Sequence, residues 1–270
     1  MGGSLGEKIG EGVFADVHAW APGQVVKLFK PGASRWESRR EAQLTRAVFA
    51  AGGPAPEVFG EVELDGRFGI VLRRFDGPTL LQHYRSGAMS LGQAGATLAS
   101  LCLSVHRTPP PPEVPFLHDV MESWLRQSGD AVPQHIATGI LALIERLRPG
   151  DGLCHADVHP GNVIMTVDGA RFVDWGAAVR APAALDLANC HVGLTEIAPE
   201  VADDPQRPLA VNAAAQTEYA RLGGMSQEAL TSAMKPYLPI NRVRVILAGA
   251  APAQRERLIQ RTEAALRAED

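Results

Sequence analysis

Apolar residues recur in short runs over the first 75 positions and in helical spacing over most of the rest. "VFADVHAW" (13–20) and "QVVKLFK" (24–30) are of strand length, and Ala21-Pro22-Gly23 between them is a turn signal. Ser34 followed by Glu37 is a capping-box pattern, which predicts a helix running to Gly52-Gly53. "EVFGEVELDGRFGIVLRRF" (57–75) reads as further strands with Asp65-Gly66 as a hairpin turn, and Gly77-Pro78 breaks the pattern. Helical spacing then takes over at Leu91, Ala94, Leu98, Leu101, Cys102 and Val105. The proline-rich stretch from Thr108 to Pro115 cannot be helix interior and is expected to be an extended connector. Two more helices are marked by Val120, Met121, Trp124 and Leu125, and by Ile136, Ile140, Leu143, Ile144 and Leu147. A β insertion follows, then helices to the end. The outline is α+β: a strand-rich N-terminal part and a helix-rich C-terminal part.

The insertion, "LCHADVHPGNVIMTVDGARFVDWGAA" (153–178), gathers polar groups between two apolar runs. "VIMTV" and "ARFVD" flank Asp168-Gly169, which reads as a two-residue hairpin turn. With Val167 opposite Ala170, Val163 faces Asp174. Asn162 and Asp174 then lie about 5–8 Å apart, although register alone leaves open whether both side chains point the same way. Asp157 sits on the incoming loop. Two carboxylates and one amide oxygen converging at one hairpin end are hard oxygen donors of the kind that suits Mg²⁺. The plainer alternative is a polar turn with surface aspartates.

Composition narrows the setting. The chain has 270 residues, 46% hydrophobic and 21% charged, which is ordinary globular usage. Net charge is −4 and no dense basic run occurs, so nucleic acid is not expected as a partner. Cys102, Cys154 and Cys190 form neither a metal spacing nor a disulfide framework, which points to a reducing compartment. No apolar run approaches the roughly 18 residues of a membrane span. "MGGSLGEKIGEG" lacks the features of a signal peptide, and Gly6 stands where an N-myristoylation signal wants Ser or Thr. A cytoplasmic protein is expected.

"HADVHPGN" and "FVDWG" resemble the catalytic loop and metal-binding motif of the protein-kinase-like superfamily. Their His-Pro-Gly-Asn form more closely resembles the aminoglycoside phosphotransferase and choline kinase branch, which acts mostly on small molecules. The resemblance implies a two-lobed fold: residues 1–75 as a nucleotide-binding lobe with an antiparallel sheet and one helix, and residues 76–270 as a mostly helical catalytic and acceptor-binding lobe. It implies ATP and Mg²⁺ as cofactors and a small-molecule hydroxyl as acceptor. Asp157 would be the catalytic base, and Asn162 and Asp174 would hold the metal. His155 and Asp186 would support the loop by hydrogen bonds.

The N-terminal part carries the matching half of the resemblance. "IGEGVFADV" resembles the glycine-rich loop, with Gly10 and Gly12 in place and Ala15 at the third glycine. Lys27 resembles the strand lysine that contacts the α- and β-phosphates, whereas Lys30 is expected to be solvated. Glu37, Glu41, Leu44 and Val48 share a helical face; Glu37 is used by the cap, so Glu41 is the expected partner of Lys27. "IVLRRFDGPTL" resembles the hinge strand, with Leu72 at the gatekeeper position and backbone groups from Arg73 to Phe75 against adenine. Glu196, Glu200, Asp203 and Asp204 could rim a cationic acceptor but are expected to form a solvated loop. Two other readings share the fold: a nucleotide-binding pseudokinase module, and a protein kinase. Against the second, no activation segment with an Ala-Pro-Glu ending is expected after Asp174.

Overall fold

The computed structural model describes residues 4–147 and 150–268. Met1 to Gly3, which bear on the myristoylation reading, lie outside them. The N-terminal strands are β1 (Lys8–Glu11), β2 (Ala15–Ala19), β3 (Gln24–Phe29), β4 (Val58–Leu64) and β5 (Arg67–Arg73). They form one antiparallel sheet in the order β1-β2-β3-β5-β4. Asp65 and Gly66 join β4 to β5 with φ of 50° and 74°, the left-handed pair that a tight hairpin demands. Helix α1 (Arg35–Ala50) begins where the cap predicts: Ser34 accepts from the Glu37 N–H, and the Glu37 carboxylate accepts from the Ser34 N–H at 2.7 Å. Its buried stripe has two destinations. Ala42 packs with Val25, Phe29, Ile70 and Leu72 of the sheet, whereas Leu44 and Val48 join the larger core of the helical part.

The C-terminal part contains α2 (Leu80–Arg85), α3 (Leu91–Arg107), α4 (Leu117–Gln127) and α5 (Gln134–Arg146). Leu147 falls just past the end of α5. Two short antiparallel pairs follow: β6 (Gly152–Cys154) with β9 (Val179–Ala181), and β7 (Val163–Thr166) with β8 (Gly169–Phe172). The rest is helical: α6 (Ala184–Val192), α7 (Ala198–Val201), α8 (Gln206–Gly223), α9 (Gln227–Met234), α10 (Tyr237–Leu247) and α11 (Pro252–Arg267). One core built around Leu98, Met121, Ile136, Ile140, Leu153 and Trp175 holds them together.

The β7–β8 hairpin corrects the expected register. Val163 faces Phe172, not Asp174, and the two-residue loop is Val167-Asp168. The Thr166 hydroxyl explains the shift: it donates to Gly169 O at 2.7 Å and accepts from the Asp168 N–H, closing the turn one residue early. Asp174 therefore lies beyond the hairpin. The two parts of the chain meet here. Gly77, at φ 150°, runs so close to β7 that a Cβ would stand 1.8 Å from Met165 O, a position open only to glycine.

Candidate active site

The loop from His155 to Asn162 has nearly every backbone donor satisfied by a named partner. Asp186, fully buried on α6, accepts from the His155 N–H at 2.9 Å and the Ala156 N–H at 2.7 Å. It also accepts from His106 Nε2 at 3.1 Å, and the other His106 ring nitrogen meets the Tyr219 hydroxyl. Burial would raise the Asp186 carboxyl, but the His106 hydrogen bond and neighbouring donors outweigh it and hold it below the usual range. Asn189 Oδ1 accepts from the Val158 N–H at 2.6 Å. His155 is buried between Phe172 and Trp175, at ring separations of 4.4 and 4.5 Å. Its Nδ1 accepts from the Asp157 N–H, so Nε2 carries the proton donated to Val173 O at 3.0 Å. Burial pushes its pKa down and keeps the ring neutral.

These bonds hold a strained turn. Ala156 has φ of 62°, a left-handed conformation that costs a non-glycine residue about 1–3 kcal/mol. It is pinned at both ends, by Asp186 on its N–H and by Arg244 Nη2 on its carbonyl at 2.8 Å. The strain aims the next side chain, Asp157. Asn162 Nδ2 donates to the Asp157 carboxylate at 2.8 Å and to its carbonyl at 3.0 Å.

Lys27 approaches Asp174, just beyond the hairpin, from the N-terminal sheet. It stands between Val25 and Phe29 on one face of β3, opposite Val17 on one side and Ile70 on the other. Its Nζ lies 2.7 and 2.9 Å from the two Glu41 oxygens and 2.9 Å from Asp174 Oδ1. Burial alone would lower the lysine pKa; the two carboxylates more than reverse this and raise it. Glu41 is raised, by burial first, with Lys27 working against that and Asp174 adding to it. Asp174 sits at φ 66° and is held below the usual carboxylate range, because Lys27 outweighs burial. Gly10 lies in register with Val17 and hence two strands from Lys27, and the Gly12 N–H donates to Ala15 O at 2.8 Å in the β1–β2 turn.

Several expectations need correction. Lys30 is not simply solvated; it bridges Asp16 at 2.7 Å and Glu11 at 3.2 Å, and Arg67 completes the cluster on Asp16. In the hinge, the Arg73 and Arg74 N–H groups already donate to Glu57 O and Gly23 O, which leaves the Phe75 N–H as the donor of that stretch with no backbone partner among the described residues. The Arg73 side chain pairs with Glu57 and that of Arg74 with Asp76. Leu72 is buried in the sheet core. Only part of the acidic stretch departs from a solvated loop: residues 193–197 form a π-helical turn leading into α7, whereas Asp203 and Asp204 lie in the exposed segment after it, as expected. Glu196 is buried against Arg242 and Arg261, at 2.8 and 2.9 Å, and Glu200 pairs with Arg257. Ala-Pro-Glu does occur, at Ala198-Pro199-Glu200, but in α7 after α6. Only nine residues separate Asp174 from α6, and these include β9.

Comparison with known proteins decides the family. The model of the phosphotransferase enzyme family matches residues 15–224. The chain belongs to this family. Solved structures extend the match to the fold. A choline kinase from Cryptosporidium parvum Iowa II is 13% identical and superposes with a TM-score of 0.63, covering 97% of this phosphotransferase and 88% of that chain. A choline/ethanolamine kinase family protein from Mesorhizobium loti is 18% identical with a TM-score of 0.60, over 98% and 88% of the two chains. The streptomycin–ATP ternary complex of APH(2″)-IIa is 16% identical with a TM-score of 0.57, over 97% and 91%. No curated protein matches the chain. No described helix of this phosphotransferase is long and apolar enough to cross a membrane.

Three contributors lay outside the sequence motifs. Asn189 follows Asp186 by three residues on α6, a spacing that puts both on one helical face. Arg244 shares a face with Tyr237, Ile240 and Asn241 on α10, so an arginine on an apolar face was its signal. Its guanidinium is buried and stacks on Trp124 at 5.1 Å. His106 carried no signal, because its partner Asp186 is 80 residues away.

Proposed function

We propose that this phosphotransferase is an ATP-dependent kinase that moves the γ-phosphate onto a hydroxyl of a small molecule. One observation carries the reading: Lys27, paired with Glu41 on the N-terminal side, meets Asp174, which comes from the same part of the chain as Asp157 with its brace Asn162. Lys27 would contact the α- and β-phosphates, with Glu41 fixing its ammonium. The β1–β2 turn with Gly10 and Gly12 would cover the phosphates, and Leu72 with the Phe75 N–H at the end of the hinge would take adenine. The lobes would divide at residues 75 and 76, the joint where Gly77 abuts β7.

In the transfer the acceptor oxygen attacks the γ-phosphorus and forms a new P–O bond. The bond to the β-phosphate bridging oxygen breaks, ADP leaves, and the hydroxyl proton passes to the Asp157 carboxylate. Asn162 orients that carboxylate through its amide donor. Among the described residues Asn162 Oδ1 accepts no hydrogen bond, and Asp174, which meets Lys27 most closely through Oδ1, keeps Oδ2 as a further donor oxygen. These two hard oxygens fit Mg²⁺. When bound, the ion would offset charge on the phosphate oxygens. His155 and Asp186 would act by holding the loop. The buried, unpaired cysteines are in keeping with a cytoplasmic protein. The short link from Asp174 to α6 disfavours the protein-kinase alternative.

ADP release in the presence of hydroxyl acceptors tests the reading. Asp157→Asn should lower turnover by about 10³-fold or more while the Mg-ATP thermal shift persists. Wild-type turnover in that variant would remove Asp157 from the base role.

A further inference from the structure

A cavity of about 380 Å³ opens directly beside Asp157, Val158 and His159. Ligand pockets for small molecules are of this size, roughly 300–1,000 Å³. Its walls are apolar: Leu81 and Tyr84 come from α2, Leu194 and Ile197 from the π-helical turn, and Ala198 and Val201 from α7. The π-helical geometry, in which the Ala198 N–H donates to Gly193 O, adds one residue to the turn and supplies two of those walls. Val201 is an exposed apolar residue at the mouth.

The charges around this cavity are sparse. Three carboxylates line it, Asp157, Asp203 and Asp204, against two guanidiniums, Arg85 and Arg207. Asp203 and Asp204 are solvent-exposed, and Asp204 Oδ1 accepts from the Gln206 N–H at 2.9 Å. Arg207 donates to the carbonyls of Tyr84 and Arg85. The two other acids of this stretch are spent elsewhere: Glu196 on Arg242 and Arg261, and Glu200 on Arg257 and Gln254. A polycation with several ammonium groups would find few carboxylates here and an apolar wall in their place, a desolvation cost with little return.

We propose that the acceptor is an alcohol carried on a predominantly apolar body with at most one positive charge. This rests on the phosphotransferase reading above and names the substrate class of the same site. The apolar body would fill the space between α2 and α7, which would leave the hydroxyl beside Asp157. There its oxygen bonds to the γ-phosphorus, its proton goes to Asp157, and ADP departs.

The test measures binding by calorimetry, in the presence of Mg²⁺ and a non-hydrolysable ATP analogue. The probes are a ten-carbon terpenoid alcohol and kanamycin as the polycation. The terpenoid alcohol should bind at least tenfold tighter than kanamycin. Ala198→Trp, which fills the cavity, and Val201→Asp, which puts a charge on its lip, should each weaken the alcohol at least tenfold. A thermal shift with Mg-ATP equal to the wild type's marks each variant as folded, and exposed Val201 provides the readout should Ala198→Trp not fold. Kanamycin binding tighter than the alcohol, alcohol binding indifferent to a folded variant, or no binding of the alcohol would each overturn the proposal. In all three cases a retained Mg-ATP shift would leave the phosphotransferase reading standing, and its loss would count against that reading instead.

Discussion

Asp186 is the residue on which the loop geometry turns. It accepts three hydrogen bonds in full burial, two of them from the consecutive backbone N–H groups of His155 and Ala156. An asparagine there would face an N–H with its own amide donor, leaving a buried donor unpaired. Asp186→Asn should therefore cost about 2–4 kcal/mol in denaturant unfolding near pH 7. The pH dependence has a defined sign. Because the folded-state pKa lies below the unfolded value, the carboxylate's contribution is fully present above the unfolded value of about 3.9 and is lost progressively as pH falls from there through the lower folded-state pKa. The variant should lack that part of the acid limb; an acid limb identical to the wild type's would show that Asp186 is not its source. Much at this scale was readable beforehand. The proximity of Lys27 and Glu41 follows from helical facing once Glu37 is assigned to the cap. The left-handed turn at Ala156 and the grip of Arg244 on it were not readable, because alanine signals no positive φ and Arg244 lies 88 residues away in sequence.

Among the elements, α3 and α8 share a close contact, and small residues allow it. A Cβ on Gly95 would stand 2.5 Å from Ala214 Cβ and 2.6 Å from Ala215 N. Two effects oppose each other in Gly95→Ala. Helix propensity favours alanine by about 1 kcal/mol, whereas pushing two packed helices apart costs about 1–3 kcal/mol. The clash involves backbone and a Cβ, which cannot swing away, so the variant should be destabilised by about 1–2 kcal/mol in urea unfolding. A stabilised variant would mean that α8 shifts freely. The elements themselves were legible where periodicity, caps and turns agreed, as for α1, α3 and the β4–β5 hairpin. The β7–β8 register was misread by one closed turn, because the Thr166 hydroxyl outweighed the Asp168-Gly169 signal. The segment 193–201 was misread as a loop because its acids looked solvent-bound, while their arginine partners lie more than 40 residues downstream.

At the scale of the whole molecule, two cores share one helix. Ala42 of α1 packs on the sheet, Leu44 and Val48 on the helical part, and Glu41 next to them reaches Lys27. The site is therefore divided: Lys27 and Glu41 come from one side, Asp157, Asn162 and Asp174 from the other, and the one direct tie among these side chains across the gap is Lys27 to Asp174. A nucleotide bridging both sides should stabilise the molecule as a unit. The most direct test is the thermal shift with saturating Mg-ATP in the wild type and in Asp174→Ala. At about 100 times the dissociation constant the wild type should gain about 2.7 kcal/mol, and the variant should lose most of that gain. A wild type that does not shift with Mg-ATP, or an Asp174→Ala variant that shifts as far as the wild type, would contradict the account.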